Sequence, residues 1–305
     1  MSTRDLGASV RQRLLNQAKA QSRPFQEVMQ YYAMERFLYR LARSSHADEF
    51  ILKGALLLSA WRSPLSRSTM DIDLLGKTSN KLDHIRSIFS KICLVDVEPD
   101  GISFDPASLE TARIKEAADY EGVRVRFNGL LARARISMQI DIGFGDVVVP
   151  EITTIEYPTM LEFPVPVLRA YPKETVIAEK LEALTVLADL NSRMKDFFDL
   201  WALSRTYPFN SDSLIRAVTA TFHHRGTALQ PLPTGLSDEF GNNKEKSAQW
   251  TAFLRRARLE SAPKTFGDIV AVVREFAHPV ISAASSGDPF TAKWMPGGPW
   301  SSIQQ

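Results

Sequence analysis

Apolar residues recur at helical spacing near the start of the chain and predict helices over 7–20 and 25–44. In the second, Val28, Tyr31, Tyr32, Phe37, Leu38 and Leu41 leave a wide apolar side, with Arg36, Arg40 and Arg43 elsewhere. Phe50-Ile51-Leu52 predicts a short buried strand, Gly54 breaks it, and 55–61 predicts a helix. Met70 to Leu75 predicts another strand. A helix over 80–92 carries Leu82, Ile85, Ile88, Phe89 and Ile92 on one side. From about 101 to 148 the period changes to two: Val123, Val125 and Phe127 alternate with Arg124, Arg126 and Asn128, and 135–142 alternates in the same way. The prolines at 150, 158, 164, 166 and 172 predict a strand-poor crossing between domains. Helices are expected over 174–189, 192–206, 211–224, 244–259 and 266–278, with a loosely ordered tail from Ser285 in which Trp294 and Trp300 are candidates for docking. The pattern therefore predicts an α+β fold: a mixed α/β domain over 1–165, then an all-helical domain over 166–305.

A chain of 305 residues can bury enough surface to fold without staples. Its single cysteine, Cys93, excludes an internal disulfide or a Cys-cluster metal site and suits a reducing cytoplasm. No apolar run approaches the ~20 residues of a membrane span, and no signal-peptide core is visible, so a cytoplasmic protein is expected. The formal net charge of +2 is too small to demand a polyanionic partner. Its distribution is uneven: residues 1–45 hold eight Lys/Arg against three acids, a basic segment that could contact phosphates or be simply a solvated helix face.

The chemistry-bearing residues begin with Asp71 and Asp73. On a strand, positions i and i+2 share a face, and two neighbouring carboxylates repel each other unless a cation joins them. Mg²⁺ suits one or two carboxylates plus phosphate oxygens. A solvated acid pair is the alternative. Upstream, the turn at Lys53-Gly54 opens a helix whose first N–H groups can meet an anion. Arg67, just before the acidic strand, is placed for a triphosphate. Asp141, sharing a strand face with Gln139, is a third candidate carboxylate, whereas Asp146 reads as a turn residue. In the helical half, Lys180 lies in an apolar row with Val176, Ala183 and Leu187 and needs a partner. Asp196 and Asp199 share a helix face with Leu200 and Leu203. Asp196 could instead serve the first turn of a helix capped near Ser192, and Lys195 with Asp199 could be a simple i,i+4 pair. Phe197, Phe198 and Trp201 are expected to pack in the core, with stacking on bases as the alternative.

The strings FILKGALLLSAW (50–61), RSTMDIDLLG (67–76), MQIDIGFGD (138–146), YPKETVIAEKLEAL (171–184) and NSRMKDFFDLWAL (191–203) resemble, in order, the AbiEii/MenT nucleotidyltransferase toxins. These belong to the DNA-polymerase-β-like superfamily. Ala55 departs from the pattern, standing where the family often has a second glycine. The resemblance implies a nucleotidyltransferase-type mixed sheet with flanking helices. It implies that Gly54 marks the nucleotide-binding turn, beside Lys53, and that Asp71 and Asp73 are the metal-binding pair; the strand-face reading adds Asp141 to the expected metal set. It gives Lys180 to the nucleotide phosphates, and Asp196 and Asp199, with Lys195 beside them, to the same active cleft. The expected catalytic set is thus Asp71, Asp73, Lys180 and Asp196; Arg67 and Asp199 join the nucleotide-binding set. Mg²⁺ or Mn²⁺ is the implied cofactor and an NTP the substrate. The implied acceptor is the 3′ end of tRNA, and the implied partner is an antitoxin encoded nearby. A small-molecule or protein acceptor, an inactive RNA- or partner-binding module, and a metal-dependent hydrolase are the competing readings.

Overall fold

The chain forms two structural units, each with its own core, and the computed structural model describes residues 3–65, 67–117 and 120–302. The first unit comprises Met1–Arg62, Thr69–Gly145 and Thr153–Ala170. It opens with helices α1 (Thr3–Ala20) and α2 (Phe25–Arg43), then strand β1 (Phe50–Lys53), short helix α3 (Leu56–Ala60), strand β2 (Ile72–Gly76) and helix α4 (Leu82–Cys93). Strands β3 (Ile102–Ala117), β4 (Tyr120–Leu131), β5 (Ala134–Phe144), β6 (Thr153–Glu156) and β7 (Val167–Ala170) complete it.

These strands build one seven-stranded mixed sheet in the order β3-β4-β5-β2-β1-β7-β6. The alternation in β4 and β5 works as the period-two pattern predicts: Val123, Val125, Phe127, Ile136, Met138, Ile140 and Ile142 are buried. Helix α2 packs on β5 and α4, and α4 packs on β3. An aromatic cluster fills this layer, with the Phe37 ring 5.0 Å from Phe127, 5.5 Å from Phe104 and 5.9 Å from Phe89.

Helix α2 also answers the question of the basic N-terminal segment. Arg36 and Arg40 are buried, not solvated: Arg36 pairs with Glu35 at 2.9 Å and donates to the Pro164 carbonyl at 2.8 Å. Arg40 grips Asp100 through both carboxylate oxygens, at 2.7 and 3.0 Å. Much of the local positive charge is therefore spent inside the fold, while Arg11, Lys19 and Arg43 remain exposed.

The second unit comprises Ser63–Ser68, Asp146–Ile152 and Tyr171–Gln305. Its elements are α5 (Lys173–Leu187), α6 (Met194–Thr206), the two-residue β8 (Phe209–Asn210), α7 (Ser211–His224), α8 (Asp238–Gly241), α9 (Lys244–Ala257), α10 (Phe266–Ser286), β9 (Ala292–Trp294) and β10 (Trp300–Ser302). Helix α10 packs on α6, α7, α8 and α9, and α5 packs on α6 and α7. Among the described residues, no helix is long and apolar enough to cross a membrane.

Five expectations need correction. β2 starts at Ile72, so Asp71 lies in the bend before the strand. The proline-bearing stretch holds two strands, β6 and β7, which pair with each other and, through β7, with β1. The second unit is mostly rather than wholly helical, because β8, β9 and β10 form a small antiparallel sheet. The described part of the tail, through Ser302, is held in place by the same sheet. Trp294 is buried and donates its indole N–H to the Ser204 carbonyl at 2.7 Å, while Trp300 stacks on Phe276 at 5.8 Å. Helix α10 runs on through Pro279 to Ser286 rather than ending at 278.

Candidate active site

Strand pairing in the first unit brings four charged residues into one row. Lys53 of β1 stands opposite Asp73 of β2. Asp73 stands opposite Asp141 of β5, and Asp141 stands opposite Arg124 of β4. Directly opposed residues share a sheet face, so the order across four strands is cation, acid, acid, cation. Asp71 joins from the bend before β2, where the Thr69 hydroxyl donates to its carboxylate. Oxygen atoms of Asp71, Asp73 and Asp141 all lie within 4.8 Å of one another.

Gly54 is shaped to this arrangement. Its φ of +76° lies in the left-handed region that side-chain-bearing residues avoid. A Cβ there would sit 2.0 Å from Asp73 Oδ2 and 2.7 Å from Asp73 Cγ. The backbone of the turn after β1 therefore closes on the Asp73 carboxylate with no room for a methyl group. Three clustered carboxylates are hard oxygen donors, and the glycine cradle keeps one of them at the centre; both features fit Mg²⁺ or Mn²⁺. Helix α3, only five residues long, adds little dipole to the turn.

The second unit holds a different cluster. Lys180 Nζ lies 2.8 Å from Asp196 Oδ1 and 2.7 Å from Asp199 Oδ2. Arg67 grips Asp199 through both oxygens, at 2.8 and 3.0 Å, and Arg193 Nε reaches Asp196 Oδ2 at 2.7 Å. Burial alone would lower the Lys180 pKa, but Asp196 and Asp199 outweigh it, and the pKa rises above the ordinary lysine value. Burial would likewise raise Asp199, yet Lys180 and Arg67 hold it below the usual carboxylate value. All these ionic forms are mutually stabilising.

The structure thus gathers Asp71, Asp73 and Asp141, with Lys53 and Gly54 in register beside them, and separately gathers Arg67, Lys180, Asp196 and Asp199. Lys195 is exposed, and the partners of Asp199 are Lys180 and Arg67. Asp196 does lie in the first turn of α6, and the residue before that helix is Arg193, which makes no side-chain cap and whose backbone N–H meets Asn191 Oδ1 at 2.8 Å. Phe197, Phe198 and Trp201 are buried in the core and are not a stacking platform. Asp146 is buried rather than in an open turn, and takes hydrogen bonds from Arg225 at 2.9 Å and Tyr171 at 3.4 Å. Two residues escaped the sequence reading. Arg193 carried only its helix-start position as a signal. Arg124 showed its outward face in the alternation, but its partner depends on strand register.

A mixed sheet that converges three carboxylates next to a glycine turn is compatible with divalent-metal binding, as phosphoryl- and nucleotidyl-transferring enzymes require. The chain belongs to the AbiEii nucleotidyl transferase toxin family of type IV toxin–antitoxin systems, whose family model matches residues 36–272. It is accordingly a nucleotidyltransferase of the toxin type, and that membership implies a partner antitoxin. Among solved structures, JHP933 from Helicobacter pylori is 18% identical, with a TM-score of 0.48, over 86% of this chain and 96% of that one. A second H. pylori structure, provisionally assigned as a nucleotidyltransferase, is also 18% identical with a TM-score of 0.48, over 84% and 96%. Likenesses at this level carry no functional weight. No curated protein matches the chain.

Proposed function

We infer that this nucleotidyltransferase moves a nucleotide from an NTP to the 3′ end of tRNA, and that Asp71, Asp73 and Asp141 hold the divalent ion it needs. The observation that carries the reading is the convergence of those three carboxylates within 4.8 Å in a chain of this family. When bound, Mg²⁺ or Mn²⁺ would screen the NTP phosphates and favour attack at the α-phosphorus. The remaining work falls to the chain itself. Gly54 admits the nucleotide turn to the Asp73 carboxylate, and Lys53 supplies a cation on the same sheet face. Lys180 and Arg67 take the phosphate charge, with Lys195 offering an exposed cation nearby in sequence. Asp196 and Asp199, being acids, repel phosphate; their role is to fix the direction of Lys180 and Arg67 and to keep Lys180 charged. Action on tRNA makes the cytoplasm the working compartment, and the antitoxin encoded nearby is the natural restraint.

The reading is tested by incubating the protein with each of the four NTPs, labelled at the α-phosphate, and a panel of tRNA, bulk RNA, protein and small-molecule acceptors. Covalent label on tRNA, with extension visible on sequencing its 3′ termini, is the expected result. Label on a protein or small molecule would move the acceptor and keep the enzyme class. Phosphate release or RNA cleavage without any attached nucleotide would overturn the transferase reading.

A further inference from the structure

Arg124 has no assigned role, yet it is joined directly to the acid cluster. Its Nε lies 2.7 Å from Asp141 Oδ1 and its Nη2 lies 2.7 Å from Asp141 Oδ2. This is a two-pronged fork that uses both oxygens of the carboxylate. The pairing is built into the sheet, since Arg124 and Asp141 are directly opposed in the β4–β5 register. Gln139, two residues along β5, adds a long contact to Asp141 Oδ2 at 3.5 Å. The attraction extends beyond Asp141: its hydrogen bond raises the Arg124 pKa, and Asp71 and Asp73 raise it further. The guanidinium thus sits in the field of all three acids.

A small divalent ion approaches a carboxylate oxygen to about 2.0–2.1 Å. A guanidinium already on both oxygens of the same group competes for that position and repels the ion as a like charge. Two-metal transfer enzymes hold their ions only ~3.5–4 Å apart, so a second ion beside Asp141 meets Arg124 directly. The arginine also has a way out: its side chain is 30% exposed, whereas that of Asp141 is 11% exposed. An arginine that can swing into water is a movable counter-ion, unlike the buried Arg40 on Asp100.

Resting on the reading of Asp71, Asp73 and Asp141 as a divalent-ion site, we propose that Arg124 is a resident stand-in for a second divalent cation, so that loading is ordered: Asp71 and Asp73 take the first ion, and Asp141 joins a second only as the guanidinium swings away. Arg124 is in this sense a positioning residue. It keeps Asp141 aimed at the cluster before the second ion arrives.

The test is a Mn²⁺ titration of the full chain, with free ion followed by electron paramagnetic resonance and heat by calorimetry, in wild type, Arg124→Gln and Arg124→Lys. Wild type is expected to bind one ion tightly and a second weakly. In Arg124→Gln the second ion binds at least ~10-fold tighter, while the first changes little. Arg124→Lys, which keeps the charge but loses the fork, falls between the two and remains informative if the glutamine variant fails to fold. Adding Asp141→Asn to Arg124→Gln removes the gain. An unchanged second-ion affinity in folded Arg124 variants overturns the proposal and leaves the divalent site standing. Absence of any Mn²⁺ binding to wild type overturns both.

Discussion

The two charged clusters are built from the same side-chain types with opposite balance. In the first unit three acids converge, and the cations in their row, Lys53 and Arg124, come from the flanking strands. In the second unit three cations, Lys180, Arg67 and Arg193, surround two acids, Asp196 and Asp199. Their burial differs as well: Asp196 and Asp199 are about 1% exposed, whereas Asp71 and Asp73 are only partly covered. A buried charge needs its partner to exist at all, so the second cluster closes around its two acids and leaves one surplus cation for phosphate. A partly covered acid group with surplus negative charge is instead open to a ligand. The contrast teaches that burial and charge surplus, taken together, separate a group that holds itself from a group that waits for a cation.

Replacing Lys180 with Met should strike the closed cluster hardest. It leaves two buried carboxylates short of a cation, and stability should fall by about 3 kcal/mol or more, read from urea unfolding. A loss below about 1 kcal/mol would show that the cluster does not depend on Lys180.

The pH dependence of stability comes next, with two groups of opposite sign. Burial pushes Glu35 up to about 7 from 4.5, against the pull of Arg36 and the Met160 N–H. Its folded form binds the proton more tightly than the unfolded form, so stability should fall as pH rises from about 4.5 to 7, by about 3 kcal/mol at most. Asp199 acts the other way. Its folded pKa lies below 3.8, so its contribution is present above about pH 4 and disappears as pH falls through the folded value. Thermal midpoints between pH 3 and 8 read both slopes, and the double variant Glu35→Gln/Arg36→Met should flatten the upper one alone.

Gly54→Ala sharpens the contrast from the open side. The positive φ costs about 1–2 kcal/mol, and the added methyl must displace the Asp73 carboxylate. Mn²⁺ affinity should therefore drop further than the loss of stability explains, with calorimetry and a melting curve as the paired measurements. The smallest effect belongs to Arg193→Ala. Arg193 is the most exposed member of its cluster, at 43%, and its removal should change stability by less than about 1 kcal/mol.

Much of this was legible before any coordinates. The Asp71/Asp73 spacing and the alternation through 135–142 put three acids on the table, and helical spacing put Asp196 and Asp199 on one side of α6. What periodicity could not supply was pairing. Asp73 meets Asp141 because β2 and β5 are adjacent and parallel, a tertiary choice that neither strand's own pattern encodes. Arg124 meets Asp141 through the register of the β4–β5 pair. Arg67 finds Asp199 across a long sequence separation. The terminal strands were missed because three-residue segments among Gly and Pro have no period to read; Trp294 and Trp300 hold them by packing against Phe276.

The central claim is that the three converging carboxylates drive divalent-dependent nucleotide transfer, and Asp73→Asn tests it most directly. Wild type and the variant, matched for folding by circular dichroism, are compared for α-phosphate label attached to tRNA with Mg²⁺ and with chelator. The account predicts label in wild type only with the ion, and a loss of about 1,000-fold in the variant, equivalent to about 4 kcal/mol at the barrier. Undiminished labelling by Asp73→Asn, or labelling by wild type that ignores the chelator, would contradict it.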